Sequence, residues 1–167
     1  MNILVLLSLE LEQYLWGVVP AEMPALWPEQ ALRAQAVLAR TYALYRMRNP
    51  IGREFHLYGD HRSQAYDPAR IHKRGSEAVT STEGVYIADK DGNPAFVEYV
   101  SKCGQENCPY CQGKPGHVTK SNPSGVWPGR VCQYGMRMLA DRGYDWQAIL
   151  RHYTDNEYEF KKLEEEK

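Results

Sequence analysis

Pro28-Glu29-Gln30-Ala31-Leu32-Arg33-Ala34-Gln35-Ala36-Val37-Leu38-Ala39-Arg40-Thr41-Tyr42-Ala43 is the stretch around which the fold is built. Leu32, Gln35, Ala36, Ala39, Tyr42 and Ala43 recur at helical spacing on one face. Pro28 suits a first helical turn, where its missing N–H costs nothing. Asn49-Pro50 and Gly52 are stop signals. The pattern predicts one strong helix over residues 28–47. Its many alanines predict close packing against a sheet.

Working outward, residues 3–7 are apolar and read as a strand. Residues 10–16 can form a short helix. Pro20 and Pro24 then bracket a rigid segment, Val18-Val19-Pro20-Ala21-Glu22-Met23-Pro24. On the other side, residues 53–70 are irregular, with Gly59, Asp60 and Pro68 as breakers. A second helix is predicted over 69–81 and a strand over 84–88. Asp91-Gly92 signals a hairpin to a returning strand over 95–100. Residues 102–130 are rich in Gly, Pro and Cys and need a staple to be ordered. Helices follow over 134–142 and from Asp145 through His152. Helices with few strands, and no alternation of strand and helix, argue an α+β class. The expected architecture is one domain over 1–158: a mixed or antiparallel sheet, packed by the long N-terminal helix and the C-terminal helices, with a Cys-stapled loop. A charged, frayed tail is expected over 159–167.

The whole chain has 167 residues, 43% of them hydrophobic and 25% charged, which fits one globular domain and excludes disorder. Lys and Arg number 20 against 21 Asp and Glu, a net charge of −1. That balance leaves no electrostatic footprint for nucleic acid. No apolar run reaches the roughly 20 residues of a membrane span. No basic residue precedes the apolar residues 3–7, so no signal peptide is visible, although an upstream leader is not excluded.

Glu22 stands out among the acids. Val18, Val19, Pro20, Met23, Pro24 and Trp27 surround it in sequence. A carboxyl held against apolar groups has its charged form disfavoured, so its pKa rises. That is the condition for a general acid near neutral pH. An ordinary exposed loop glutamate is the alternative.

The block Tyr14-Leu15-Trp16-Gly17-Val18-Val19-Pro20-Ala21-Glu22-Met23-Pro24, followed by Trp27 and the long helix through Ala43, resembles the signature of the SpoIID/LytB family. These are stage II sporulation protein D-like lytic transglycosylases and amidase enhancers. Ser63-Gln64-Ala65-Tyr66, Ala78-Val79, Cys103-Gly104, Cys132-Gln133-Tyr134-Gly135 and Gly143-Tyr144 follow in the matching order. Ile149-Leu150-Arg151-His152-Tyr153 completes a similarity over roughly residues 5–154. The resemblance implies that Glu22 is catalytic. It implies cleavage of the β-1,4 bond from N-acetylmuramic acid to N-acetylglucosamine in peptidoglycan, leaving 1,6-anhydro ends. It implies glycan strands as partner, a cell-wall amidase as a further one, and extracytoplasmic action. Gln64, Tyr66, Ser101 and Gln133 occupy family motif positions and can hydrogen-bond sugar. Arg40 can bond a glycan or hold the Glu22 loop.

The chain also departs from the family. Members often carry a histidine where this chain has Tyr99-Val100-Ser101, and Gly-His-Gly where it has Val126-Trp127-Pro128. A non-catalytic peptidoglycan-binding or amidase-enhancing module is therefore the alternative function.

Cys103, Cys108 and Cys111 crowd into nine residues. Cys108-Pro109-Tyr110-Cys111 is a knuckle that aims two sulfurs at one point, which suits tetrahedral zinc. The family places Ser or Cys at the positions of Cys103 and Cys132, in motifs held to share one cleft. That makes Cys132 the preferred fourth ligand, with His117 as its rival. Four protein ligands make such a zinc structural. Disulfides Cys103–Cys132 and Cys108–Cys111, or free thiols, are the alternatives.

Overall fold

The computed structural model describes residues 5–101, 130–154 and 158–164. Helix α1 spans Leu11–Glu22 and α2 spans Glu29–Arg48. A short 3₁₀ turn, Pro68–Arg70, leads to α3, Lys73–Ser81. Strands β1 (Val85–Ala88), β2 (Glu98–Val100) and β3 (Arg130–Cys132) follow. The chain continues through α4 (Gln133–Asp141), α5 (Trp146–Tyr153) and β4 (Glu159–Lys162).

The predicted long helix is the axle of the fold. Ala31, Ala34, Ala36, Ala39 and Ala43 are buried along α2, with Leu32, Val37 and Leu38 between them. Small side chains let neighbouring backbones approach. The neighbours are mainly helices: α1, α3, α4 and α5 pack on α2, as do β1 and β2. The expected single sheet is replaced by two separate two-stranded ladders among the described residues. The class, mixed helix and sheet, is α+β as expected.

Four expectations are corrected. Residues 5–7, expected to lie in a strand, pair with nothing described; Val5 is 82% exposed and Leu7 68%. The first helix does not stop at Trp16 but runs to Glu22, carrying Pro20 in its last turn. That proline forfeits the bond to the Trp16 carbonyl, and its ring packs in the core beside Gly75 of α3. The turn after β1 forms as expected: Asp89 Oδ1 accepts the N–H groups of Asp91 and Asn93, and Gly92 takes φ +82°. The returning chain, however, makes only an isolated Ala88–Pro94 bridge with β1 before β2 diverges to pair in parallel with β3. The true partner of β1 is the supposedly frayed tail. β4 runs antiparallel to it, with Ile87 opposite Phe160 and Ala88 opposite Glu159.

The C-terminal helices begin where polar caps permit. Asp145 Oδ1 accepts the Ala148 N–H at 2.8 Å, starting α5. Cys132 caps α4, its Sγ accepting the Gly135 N–H at 3.3 Å. No helix of the described residues is long and apolar enough to cross a membrane. The Cys-stapled loop, with Cys103, Cys108, Cys111 and His117, lies outside the described residues.

Candidate functional site

Glu22 is the last residue of α1, half-buried where four segments meet. Its Oε1 accepts the Ala65 N–H at 2.5 Å. Its Oε2 faces Gln133 Nε2 of α4 at 3.4 Å. The same nitrogen lies 3.3 Å from Gln35 Oε1 of α2. Burial pushes the Glu22 carboxyl above its ordinary 4.5, and the bonds from Ala65 and Gln133 pull it back in part. The C-terminal end of a helix also disfavours an anion.

The segment that delivers Ala65 is itself pinned. Gln64 is 1% exposed; its Nε2 donates to the Ala39 carbonyl at 3.3 Å, and its Oε1 accepts from the Tyr99 hydroxyl at 2.7 Å. The Asp67 N–H donates to the Gly17 carbonyl at 3.2 Å. The Tyr66 ring lies directly on Gly17 and stacks on Tyr14 with centroids 5.4 Å apart. A Cβ at Gly17 would stand 2.5 Å from Tyr66 Cε2, so this approach requires glycine. The connection from Glu22 to α2 is held in turn: Trp27 meets Tyr134 edge-on at 4.8 Å, the Arg137 guanidinium lies 5.2 Å from its ring centre, and Arg74 donates to its carbonyl. These contacts tie the first turn of α4, and so Gln133, to the end of α1.

The predicted site residues separate into two groups. Glu22, Gln64, Tyr66 and Gln133 come together. Ser101 sits beside them at the backbone: its carbonyl accepts the Tyr134 N–H at 3.2 Å and the Cys132 thiol at 3.7 Å. Arg40 lies elsewhere. Its side chain is wholly buried, Nε and Nη2 each 2.7 Å from a Glu12 carboxylate oxygen, with further bonds to the Val79 and Val85 carbonyls. With no exposed surface, it has none to offer a glycan. Arg40 locks α1, α3 and β1 to α2.

Gln64, expected to hydrogen-bond sugar, is buried here and anchors the segment that carries the Ala65 donor. The residue missed was Gln35. It appeared only as one member of a helical face, yet a glutamine inside an alanine-rich buried stripe must find polar partners.

Two further acids near the site in sequence, Asp60 and Asp67, do not join it. Asp60 is held far below the usual carboxylate range by hydrogen bonds from Arg62. Asp67 Oδ1 caps the Pro68–Arg70 turn by accepting the Ala69 N–H. Two phenols, Tyr14 and Tyr99, feel the Glu22 charge, and burial raises both, so they stay neutral. The arrangement offers one proton-exchanging carboxyl in a neutral polar shell.

The family model for Stage II sporulation protein, SpoIID, matches residues 2–88, more than half of the chain. The chain belongs to the SpoIID family. The matched span holds α1, α2, α3 and β1, and with them Glu22, Gln35 and Gln64; Tyr99 and Gln133 lie beyond it. A 44-residue stretch is 52% identical to an uncharacterized protein of Brachyspira hyodysenteriae, covering 26% of this chain and 12% of that protein. The SpoIID chain therefore matches a small part of that relative's length.

Proposed function

We propose that this SpoIID protein is a peptidoglycan lytic transglycosylase in which Glu22 acts first as acid and then as base. Family membership supports a cell-wall role. The observation that carries the finer reading is the Glu22 carboxyl itself, half-buried, held by two donors and raised by burial. Protonated Glu22 gives its proton to the glycosidic oxygen as the C1–O bond breaks. The C6 hydroxyl of the same muramic sugar then attacks C1, and its proton returns to Glu22. Atoms balance without water, so no second carboxylate is required, in contrast to a hydrolase. A shell of neutral amides and phenols suits a carboxyl that must be protonated at the start and ionised midway.

The departures at Tyr99-Val100-Ser101 support the second reading, a binding or amidase-enhancing module. Tyr99 cannot exchange protons as a histidine would: desolvation holds its phenol protonated, and the hydroxyl is bonded to Gln64. Glycan strands stripped of stem peptides separate the readings. Turnover abolished by Glu22→Gln supports the transglycosylase. Binding to purified sacculi without turnover supports the module, and neither binding nor turnover removes both.

We also propose structural zinc on Cys103, Cys108, Cys111 and Cys132, with His117 as the alternate. Among the described residues no group of three or more His, Cys, Asp or Glu could hold a metal. Of this set only Cys132 is described. Its sulfur suits a ligand position by place: it is buried at the N-cap of α4, where it accepts the Gly135 N–H and faces the Ser101 carbonyl. Zinc there would tie the loop to α4. Metal analysis under reducing conditions is expected to find about one zinc per chain, released by Cys132→Ser or by His117→Ala according to which is the fourth ligand. Protein without metal would sink it.

A further inference from the structure

We propose that Gln35 is a positioning residue for Glu22, holding the Gln133 amide with its nitrogen turned to the carboxylate, an inference that rests on reading Glu22 as the acid–base group. Gln35 is 0% exposed in the middle of α2 and never meets substrate. Gln133 Nε2 is shared between Gln35 Oε1 at 3.3 Å and Glu22 Oε2 at 3.4 Å. An amide has a donor end and an acceptor end. Turned round, Gln133 would set its own oxygen against both the carboxylate and the Gln35 oxygen. The Gln35 acceptor penalises that orientation whatever the state of Glu22. While Gln35 keeps its oxygen towards Gln133, Glu22 meets a donor once it has given up its proton.

A second observation concerns what Gln35 forgoes. Its Nε2 is buried and makes no hydrogen bond. The nearby Tyr99 hydroxyl, which gives its own proton to Gln64 Oε1, has an oxygen on the Gln35 side but does not close a hydrogen bond with Gln35 Nε2. A buried donor without a partner costs stability, and Met or Leu would fill the volume without that cost. What the glutamine contributes in return is its oxygen, and the partner of that oxygen is Gln133.

The surroundings keep the effect simple. From α1 the titratable neighbour is Tyr14, from β2 it is Tyr99, and Tyr42 of α2 acts on both. Tyr14 and Tyr99 stay protonated through burial. No described basic side chain shifts the carboxyl; burial, Ala65 and Gln133 do.

The test is Gln35→Met, which keeps length and removes both polar atoms. The carboxyl carbon of Glu22 is followed by NMR against pH, without substrate. The titration is expected to move to higher pH in Gln35→Met and in Gln133→Met, and no further in the double variant. On glycan strands the alkaline limb of kcat/KM should move the same way, with kcat down about ten-fold. A titration unmoved in Gln35→Met, or additive shifts in the double variant, would overturn the proposal. If the variant does not fold, wild-type protein decides. One Gln133 side-chain amide proton should show a nuclear Overhauser contact to Gln35 and the other should move with Glu22 ionisation; absence of either overturns it. Should no glycan be cleaved at all, the reading of Glu22 falls, while the NMR titration still decides Gln35.

Discussion

Glu22 carries a cost that the proposed acid–base role explains. Its carboxyl titrates above 4.5 in the folded chain and near 4.5 when unfolded. The folded state therefore holds the proton more tightly. Below 4.5 both states are protonated and the site costs nothing. As pH rises through the native pKa, the unfolded state gains by ionising first, and stability falls. Glu22→Gln lacks this titration. Thermal melts are expected to show the variant more stable than wild type at neutral pH, with the gap closing below pH 4.5. A constant gap across that window would mean that burial does not govern the carboxyl. The Arg40–Glu12 pair, a buried guanidinium on a half-buried carboxylate, holds the fold together. Removing Glu12 leaves a buried guanidinium without its counter-charge, so Glu12→Ala should cost about 3–5 kcal/mol in denaturant unfolding. A loss under 1 kcal/mol would contradict the locking role of Arg40.

At the scale of elements, α2 was legible because twenty helical residues repeat one period many times. Glu22 was legible because apolar neighbours crowd it in sequence. Four-residue β4 was not, since a single Phe160 among charges carries no periodicity. Nor was the α2 environment: alanines announce close approach but do not say whether a helix or a sheet arrives. The partners of Arg40 and Gln64 lie 28 and 35 residues away, distances over which no spacing rule operates. Two predictions follow from the elements. Gly17→Ala gains roughly 1 kcal/mol of helix propensity but drives a Cβ into Tyr66, an overpacking worth about 1–3 kcal/mol. The clash wins modestly in stability. The larger effect should be on turnover, because Tyr66 adjoins the Ala65 donor; full activity in Gly17→Ala would show that the Tyr66 ring can move without disturbing Glu22. Removing residues 159–167 uncovers β1. Backbone hydrogen exchange at 85–88 is expected to rise while α2 stays protected, and unchanged protection there would deny β4 its role.

Across the whole molecule, the site exists because distant segments converge on one helix end. Glu22 comes from α1, its first donor from the segment before the 3₁₀ turn, its second from α4, and the orienting oxygen from α2. The axle α2 touches all the helices that deliver them. This division explains a neutral site: charge is spent elsewhere, in Arg40–Glu12 within the core and Arg62–Asp60 at the surface. The central claim is that one carboxyl suffices because the sugar supplies its own nucleophile. The most direct measurement is digestion of stem-peptide-free glycan strands in ¹⁸O-labelled water, with the new termini read by mass spectrometry. The account predicts unlabelled 1,6-anhydro-muramic ends, absent with Glu22→Gln. Labelled reducing ends would show water as the nucleophile and contradict it.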